Sequence, residues 1–346
     1  MPEPARSHGP DARATAKTSL CAAASTGVPH GPFPSAAAQS DDIAATVAGL
    51  AQARHDWRIS QLRLEEAGPR ELPSPERVAA IVTDLRAVLF PMRLGPADLR
   101  QENENGFIAR TLTRVVHELT HEVRLELDWA RRTLGAGEAP DPAAAGVLVS
   151  AFIRALPDIR RLLDSDVVAA FRADPAARGV DEVLLCYPGL RALINHRMAH
   201  RLSLLGLPLI ARLIAEMAHG ETGIDIHPGA RIGASFFIDH GTGTVIGATA
   251  IIGERVQLFQ GVTLGAKSFP TDQQGNVVKG LPRHPIIGDD VVIYSGATVL
   301  GRVSIGEGSV LGGNVWVTAD VPPFSIVSQA RVQSREQPEN EHAKSA

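Results

Sequence analysis

The chain has 346 residues, 44% hydrophobic and 21% charged, which excludes a mainly disordered or fibrous protein. Lys and Arg number 34 against 38 Asp and Glu, a formal net charge of −4, so nothing in the balance calls for a nucleic-acid partner. The two cysteines, Cys21 and Cys186, make no disulfide framework and fit a reducing compartment.

Residues 1–40 are rich in Pro, Gly, Ala and Ser, show no apolar period and read as a disordered leader. They lack the apolar stretch of a secretory signal, and no run approaches the ~18 apolar residues of a membrane span. A cytoplasmic protein with no membrane partner is expected.

Residues 41–222 read as a helical domain. The clearest helix is Phe107–Leu134, where Ile108, Leu112, Val115, Leu119 and Val123 recur on one face. Asp141-Pro142 and Leu156-Pro157 punctuate the segments that follow. The last two helices, Gly189–Leu205 and Leu207–His219, part at Gly206-Leu207-Pro208.

From residue 223 an aliphatic side chain recurs at every sixth position. The runs are Ile226, Ile232, Ile238; then Ile246, Ile252, Leu258, Leu264; then Ile287, Ile293, Val299, Ile305, Leu311, Val317. Gly often follows the aliphatic, and a small or β-branched residue often stands four places after it, with Phe236 the exception. This period predicts a parallel β-helix over 223–322, with roughly thirteen hexads making about four coils. Residues 323–346 read as a C-terminal tail. The period is lengthened between Ile238 and Ile246 and broken between Leu264 and Ile287, where a loop at 267–285 leaves the solenoid. Polar residues gather at the breaks: Asp239-His240 at the first, Arg283-His284 at the second.

Four segments carry a specific resemblance: Ile224-Asp225-Ile226-His227-Pro228, Ile238-Asp239-His240-Gly241-Thr242-Gly243, Gln260-Gly261-Val262-Thr263-Leu264-Gly265 and Arg283-His284-Pro285. Together with Asp174-Pro175-Ala176 and Gly189-Leu190-Arg191-Ala192 upstream, the region 150–320 resembles the serine O-acetyltransferases, members of the hexapeptide-repeat acyltransferases. The resemblance implies an α + β chain, a helical domain followed by a left-handed parallel β-helix. It also implies transfer of acetyl from acetyl-CoA to the hydroxyl of L-serine, the first step of cysteine biosynthesis.

An alcohol at neutral pH needs a base to remove its proton as the oxygen attacks a thioester, and an imidazole titrating near ~6.5 suits the task. By resemblance His240 is that base and Asp225 the carboxylate that orients it. Arg283 matches the residue that holds the serine carboxylate, His284 the active-site histidine beside it, and Asp174 and Asp239 the acids that contact its amino group. Gly265, Ala266, Ser295, Gly296 and Gly313 are candidates for the pantetheine arm of acetyl-CoA. No metal is expected. The family forms homotrimers through its β-helices, and pairs of trimers through its helical domains.

The chain departs from the family in three places. Ala248 stands where many members carry Glu, the 267–285 loop is longer, and the chain ends Ala343-Lys344-Ser345-Ala346. Relatives that dock into O-acetylserine sulfhydrylase do so with a C-terminal isoleucine, so the resemblance does not extend to that partner.

Other readings compete. Another hydroxyl acceptor, such as homoserine, would use the same machinery. His117-Glu118-Leu119-Thr120-His121 fits the H-E-x-x-H pattern of a zinc metalloprotease, with Glu138 available as a third ligand. Arg124 and Leu127 nevertheless occupy the places where an extended motif needs Gly and His. His227, His240 and His284 are available for a carbonic-anhydrase site on the same fold, whose three zinc-binding histidines converge between subunits, but Arg283 and the Asp-His pairs suit acyl transfer better. A non-enzymatic solenoid would need none of these groups together.

Overall fold

The structure, a computed structural model, describes residues 36–61, 72–134 and 141–329. The rest of the expected leader, most of the expected tail and Glu138 lie outside the described residues. The chain divides into two units, residues 1–67 and 68–346. In the first, helix α1 (Ala36–Ser60) begins inside the segment expected to be disordered.

The second unit opens with α2 (Pro75–Leu89), the short α3 (Pro91–Leu94), α4 (Glu104–Leu134) and α5 (Ala145–Ala173). It continues with α6 (Val180–Cys186), α7 (Pro188–Leu204) and α8 (Pro208–Thr222). On α4 Val115, Leu119 and Val123 of the predicted apolar face are buried, Ile108 and Leu112 are half-buried, and Leu127 extends the face by a further turn. Two buried carboxylates share that helix one turn apart. Glu122 accepts the Ser74 backbone N–H at 2.7 Å ahead of α2, and Glu126 accepts the N–H groups of Leu209 and Ile210 at the start of α8. Both serve donors that a helix start leaves unpaired. Leu156-Pro157 does not end a segment, because α5 runs through Pro157. The lost hydrogen bond is outweighed by burial of Val149, Phe152, Leu156, Ile159 and Leu163 along one face. Among the described residues no helix is long and apolar enough to cross a membrane.

The chain then winds into the expected left-handed parallel β-helix. Its first sheet is β1 (Asp225–Ile226), β4 (Val245–Ile246), β7 (Thr263–Gly265), β10 (Thr298–Leu300) and β13 (Trp316–Val317). The second is β2 (Arg231–Ile232), β5 (Ile251–Ile252), β8 (Ile286–Ile287) and β11 (Ser304–Ile305). The third is β3 (Phe237–Ile238), β6 (Gln257–Leu258), β9 (Val292–Ile293), β12 (Val310–Leu311) and β14 (Ile326–Val327). The hexad aliphatics stack in register down each sheet, as in Ile226, Ile246, Leu264, Val299 and Val317. Each coil thus covers the apolar face of the one before it.

The stack runs past residue 322. Val321 bridges Ile305, and β14 pairs with β12. Pro322-Pro323 breaks the hexad spacing there while the backbone still closes the coil. At the other end, Phe236 is fully buried where α5 and α7 pack on β3. A large ring fits that position because helices, not another coil, cap the first turn. The junction is also polar. Arg197 of α7 pairs with Asp166 of α5 at 2.6 Å and donates to the carbonyls of Ile232 and Gly233, while Asp166 accepts the Phe236 N–H.

Candidate active site

The predicted residues divide between the two edges of the first sheet. The chain enters that sheet at a leading edge, through the turn from Asp239 to Thr244, and leaves at a trailing edge, through the long loop that ends at Arg283-His284.

At the leading edge the extra residues after Ile238 force a tight turn. His240 adopts φ 55, followed by Gly241 at φ 82 and Gly243 at φ 77. A non-glycine residue in the left-handed region is unusual, and here it sets His240 outward with 73% of its side chain exposed. Its Nε2 lies 3.8 Å from Asp239 Oδ1. Asp174, the residue that ends α5, accepts the Ala176 N–H at 2.8 Å and the Tyr187 hydroxyl. The Tyr187 hydrogen bond, then that N–H, hold the Asp174 carboxyl below the usual range, and nearby His240 adds to the effect. The same bond, with desolvation and the neighbouring acids, pushes the Tyr187 phenol up to about 12. Three of the acyl-carrier candidates share this edge. The turns at Gly243, Gly261, Gly296 and Asn314 stack here, with Ser295 and Gly313 beside them. A Cβ on Gly296 would sit 2.1 Å from Asn314 Oδ1.

The trailing edge is enclosed. His284 is only 6% exposed. Its Nδ1 accepts the Thr249 backbone N–H at 3.1 Å, which places the ring proton on Nε2. Burial first, then the charges of Arg283, His227 and Arg302, bring the His284 pKa down to about 4, so the ring is neutral at pH 7. Thr249 Oγ1 accepts the N–H groups of Arg283 at 2.9 Å and His284 at 3.2 Å. Arg302 donates to the carbonyls of Thr249 and His284 at 2.7 and 3.0 Å. Gly247 is required by close approach, since a Cβ there would lie 1.9 Å from His284 Cδ2. The Arg283 guanidinium meets no carboxylate among the described residues, and its Nε is buried without a partner. Gly265 ends β7 on this edge, and Ala266 opens the loop.

Asp225 opens β1 on the outer face. It influences His227, and its carboxylate lies within 4.8 Å of the ligand atoms of Glu216 and His219. No hydrogen bond or ion pair joins Asp225 to His240 within one chain, or joins the leading group to the trailing group, among the described residues.

Within one chain, among the described residues, the competing histidine sets do not assemble. His117 and His121 are exposed on α4, and the one grouping of three metal-capable side chains among the described residues contains neither. His227 Nδ1 accepts the Gly229 N–H, a turn role, while His240 lies on the other edge from His284.

Tyr187, Thr249 and Arg302 have no part in the predicted site, and Gly247 is predicted only as a glycine that follows a hexad aliphatic. Tyr187 had a visible signal in Tyr187-Pro188, the start of α7, which faces the Asp174-Pro175 turn. Thr249 and Arg302 act across coils, which no local pattern displays.

The parallel β-helix is the fold expected of hexapeptide-repeat transferases, and residues 284–319 match the family described as bacterial transferase hexapeptide (six repeats). The likeness to single proteins is narrower. The chain is 53% identical over 292 residues to the plasmid serine acetyltransferase of Synechococcus elongatus, covering 83% of this chain and 91% of that protein. It is 48% identical over 167 residues to the serine acetyltransferase of Bacillus subtilis, covering 48% of this chain and 73% of that one. Among solved structures, serine acetyltransferase 1 of Entamoeba histolytica in complex with L-cysteine matches with TM-score 0.62 and 36% identity, over 75% of this chain and 88% of that one. The chain belongs to the serine acetyltransferase family.

Proposed function

We infer that this protein is a serine O-acetyltransferase, which moves acetyl from acetyl-CoA to the L-serine hydroxyl and releases O-acetyl-L-serine and CoA at the start of cysteine biosynthesis. One observation carries the reading beyond family membership. One edge of the first sheet presents two carboxylates, Asp174 and Asp239, beside an exposed imidazole, and the other presents the Arg283 guanidinium, which meets no carboxylate among the described residues and whose Nε is without a partner. A zwitterionic amino acid carries the matching charges, an ammonium for the acids and a carboxylate for the Arg283 fork.

In the mechanism we propose, His240 takes the serine hydroxyl proton as the oxygen attacks the thioester carbonyl. The C–O bond forms, the tetrahedral intermediate collapses, the C–S bond breaks, and the departing CoA thiolate recovers the proton from His240. Neutral His284 donates from Nε2 to the bound serine, and Arg283 holds its carboxylate. No step needs a metal. Ser295, Gly296 and Gly313 on one edge, with Gly265 and Ala266 on the other, are the proposed contacts of the pantetheine arm.

The two edges lie apart in one chain, so we propose a homotrimer in which the leading edge of one copy meets the trailing edge of the next. Asp225, whose carboxylate has no hydrogen bond among the described residues, orients His240 within that assembly. Exposed Cys186 is a free thiol, and a cytoplasmic setting is part of the same proposal.

The test is CoA release from acetyl-CoA by purified protein with L-serine, L-homoserine or no acceptor. Serine-dependent release is expected. Release with homoserine alone would replace the acceptor, and release with neither would remove the acyl-transfer reading.

A further inference from the structure

Beside the β1–β2 turn, a cleft of about 440 Å³ opens between α5, α7 and β2. Its walls are part apolar, from Ala151, Ala155, Ile159, Leu162 and Ile232, and part basic, from Arg154, Arg197 and Arg201. The three guanidiniums are not equivalent. Arg197 is fully engaged by Asp166 and by the carbonyls of Ile232 and Gly233. Arg154 and Arg201 have neither a hydrogen bond nor an ion pair among the described residues, and Arg201 Nε is buried without a partner. The one acid on the wall, Asp158, is paired with Arg161 outside the cleft.

Two histidines complete the lining. His196 is 3% exposed, and its Nδ1 has no hydrogen-bond partner. His200 stacks on it with ring centroids 5.7 Å apart and uses its own Nδ1 on the Pro228 carbonyl at 2.8 Å. Burial lowers the pKa of both rings, so they stand as neutral imidazoles. Orphaned buried polar atoms destabilise a fold until something pairs them. Here two of them, His196 Nδ1 and Arg201 Nε, line one cleft, and Arg154 brings a second guanidinium with no partner among the described residues.

We propose that this cleft is an effector site for a small organic oxyanion, a single carboxylate or phosphate on a compact apolar body. The oxyanion takes the Arg154 and Arg201 forks, and the apolar body lies against the alanine and isoleucine wall. The volume suits a ligand of one ring or a short branched chain, and the neutral imidazoles add polar contacts without adding charge.

The placement explains how occupancy reaches the reaction, a step that rests on the serine O-acetyltransferase reading. The two walls end in the pair that sits at the proposed amine site: Asp174 closes α5 and Tyr187 precedes the first turn of α7. A ligand that spans α5 and α7 therefore fixes the spacing of the Asp174–Tyr187 hydrogen bond.

The experiment uses the full-length protein and isothermal titration calorimetry with inorganic phosphate, benzoate, phenyl phosphate and benzyl alcohol. Saturable binding of benzoate or phenyl phosphate is expected, about tenfold or more tighter than benzyl alcohol, the scale of a charge-assisted contact. The benzoate and phenyl phosphate arms decide between carboxylate and phosphate. The Arg154→Gln/Arg201→Gln double variant should lose that binding with no fall in melting temperature, and keep its serine-dependent CoA release without ligand. Ala155→Phe, which fills the cleft without removing charge, should lose it as well. The absence of saturable anion binding to the wild type, or binding undiminished in both variants, overturns the site. Binding that leaves the KM for serine unchanged overturns the effector role. Calorimetry needs no turnover, so a wrong acceptor assignment would show separately, in the CoA-release assay.

Discussion

The two edges of the first sheet are built by opposite means from the same repeat. The leading edge is open and held by backbone geometry. An inserted turn puts His240 at φ 55 with most of its ring in solvent, and the acids beside it belong to a short loop and to the end of a helix. The trailing edge is closed and held by side chains. Thr249 grips both Arg283 and His284, Arg302 pins the carbonyls of Thr249 and His284, and Gly247 leaves room for the imidazole. A proton-transfer group must meet substrate and exchange its proton, so exposure serves the first edge. A group that reads a carboxylate must keep one geometry and one tautomer, and enclosure supplies both.

The comparison breaks most sharply at His240. His240→Ala should lower kcat by about 10²–10⁴-fold, the range of general-base catalysis, with circular dichroism unchanged. A folded variant with near-normal turnover would strip the leading edge of its proposed role. Mixing this variant with Arg283→Ala then asks whether the edges meet between copies. Each alone should be inactive, whereas coexpressed chains should regain activity because about a quarter of the interfaces pair two intact edges. No recovery in mixed trimers would place the whole site within one chain.

Gly247→Ala attacks the closed edge. The new Cβ falls on the His284 ring, so either the ring or the coil must move. The expected cost is about 1–3 kcal/mol of stability from overpacking. Displacing His284 should also raise the KM for serine about tenfold, the worth of one hydrogen bond to a charged group. An unchanged KM would show that His284 does not touch the substrate.

Tyr187→Phe is milder. The ring stays and only the hydrogen bond to Asp174 goes, so KM for serine should rise about 3- to 10-fold with kcat nearly constant. The pH profile is the diagnostic readout. Tyr187 holds the Asp174 pKa down, so its removal should move the acid limb of kcat/KM to higher pH. A fall in kcat with that limb unmoved would remove Tyr187 from the positioning of Asp174.

The fold was legible wherever a local period reports a global contact. The aliphatics at Ile226, Ile246 and Leu264 recur because each must stack on the next coil, and they do so in register. Legibility failed where a tertiary contact overrides the local rule. Pro157 lies inside α5 because the helix is buried around it, and Val321 joins the stack although Pro322-Pro323 spoils the spacing. The candidate residues stood out because they crowd the two breaks in the hexads. Their supports did not. Thr249 lies 34 positions from Arg283 and Arg302 lies 53 from Thr249, distances that the stacking of coils abolishes and that no sequence window spans. The division of the site between two edges was equally hidden, since neighbours in sequence at Asp239-His240 and Arg283-His284 say nothing about which corner of the triangle each pair occupies.

The smallest effect concerns the proton that His284 refuses. Its folded pKa is about 4, while a histidine in an unfolded chain titrates near ~6.5. As pH falls, the unfolded chain takes the proton first and is favoured by it. The contribution of this group to stability is therefore intact above about 6.5 and is lost progressively as pH falls toward 4. Other buried imidazoles, His196 above all, titrate in the same direction, so the readout is a difference. The melting temperature of wild type should fall more steeply between pH 6.5 and 4 than that of His284→Gln, which has no proton to gain. Parallel curves would mean that His284 is already protonated in the folded protein. The trailing edge would then hold its ring as a cation beside Arg283, and the neutral Nε2 donor assigned to it would have to be given up.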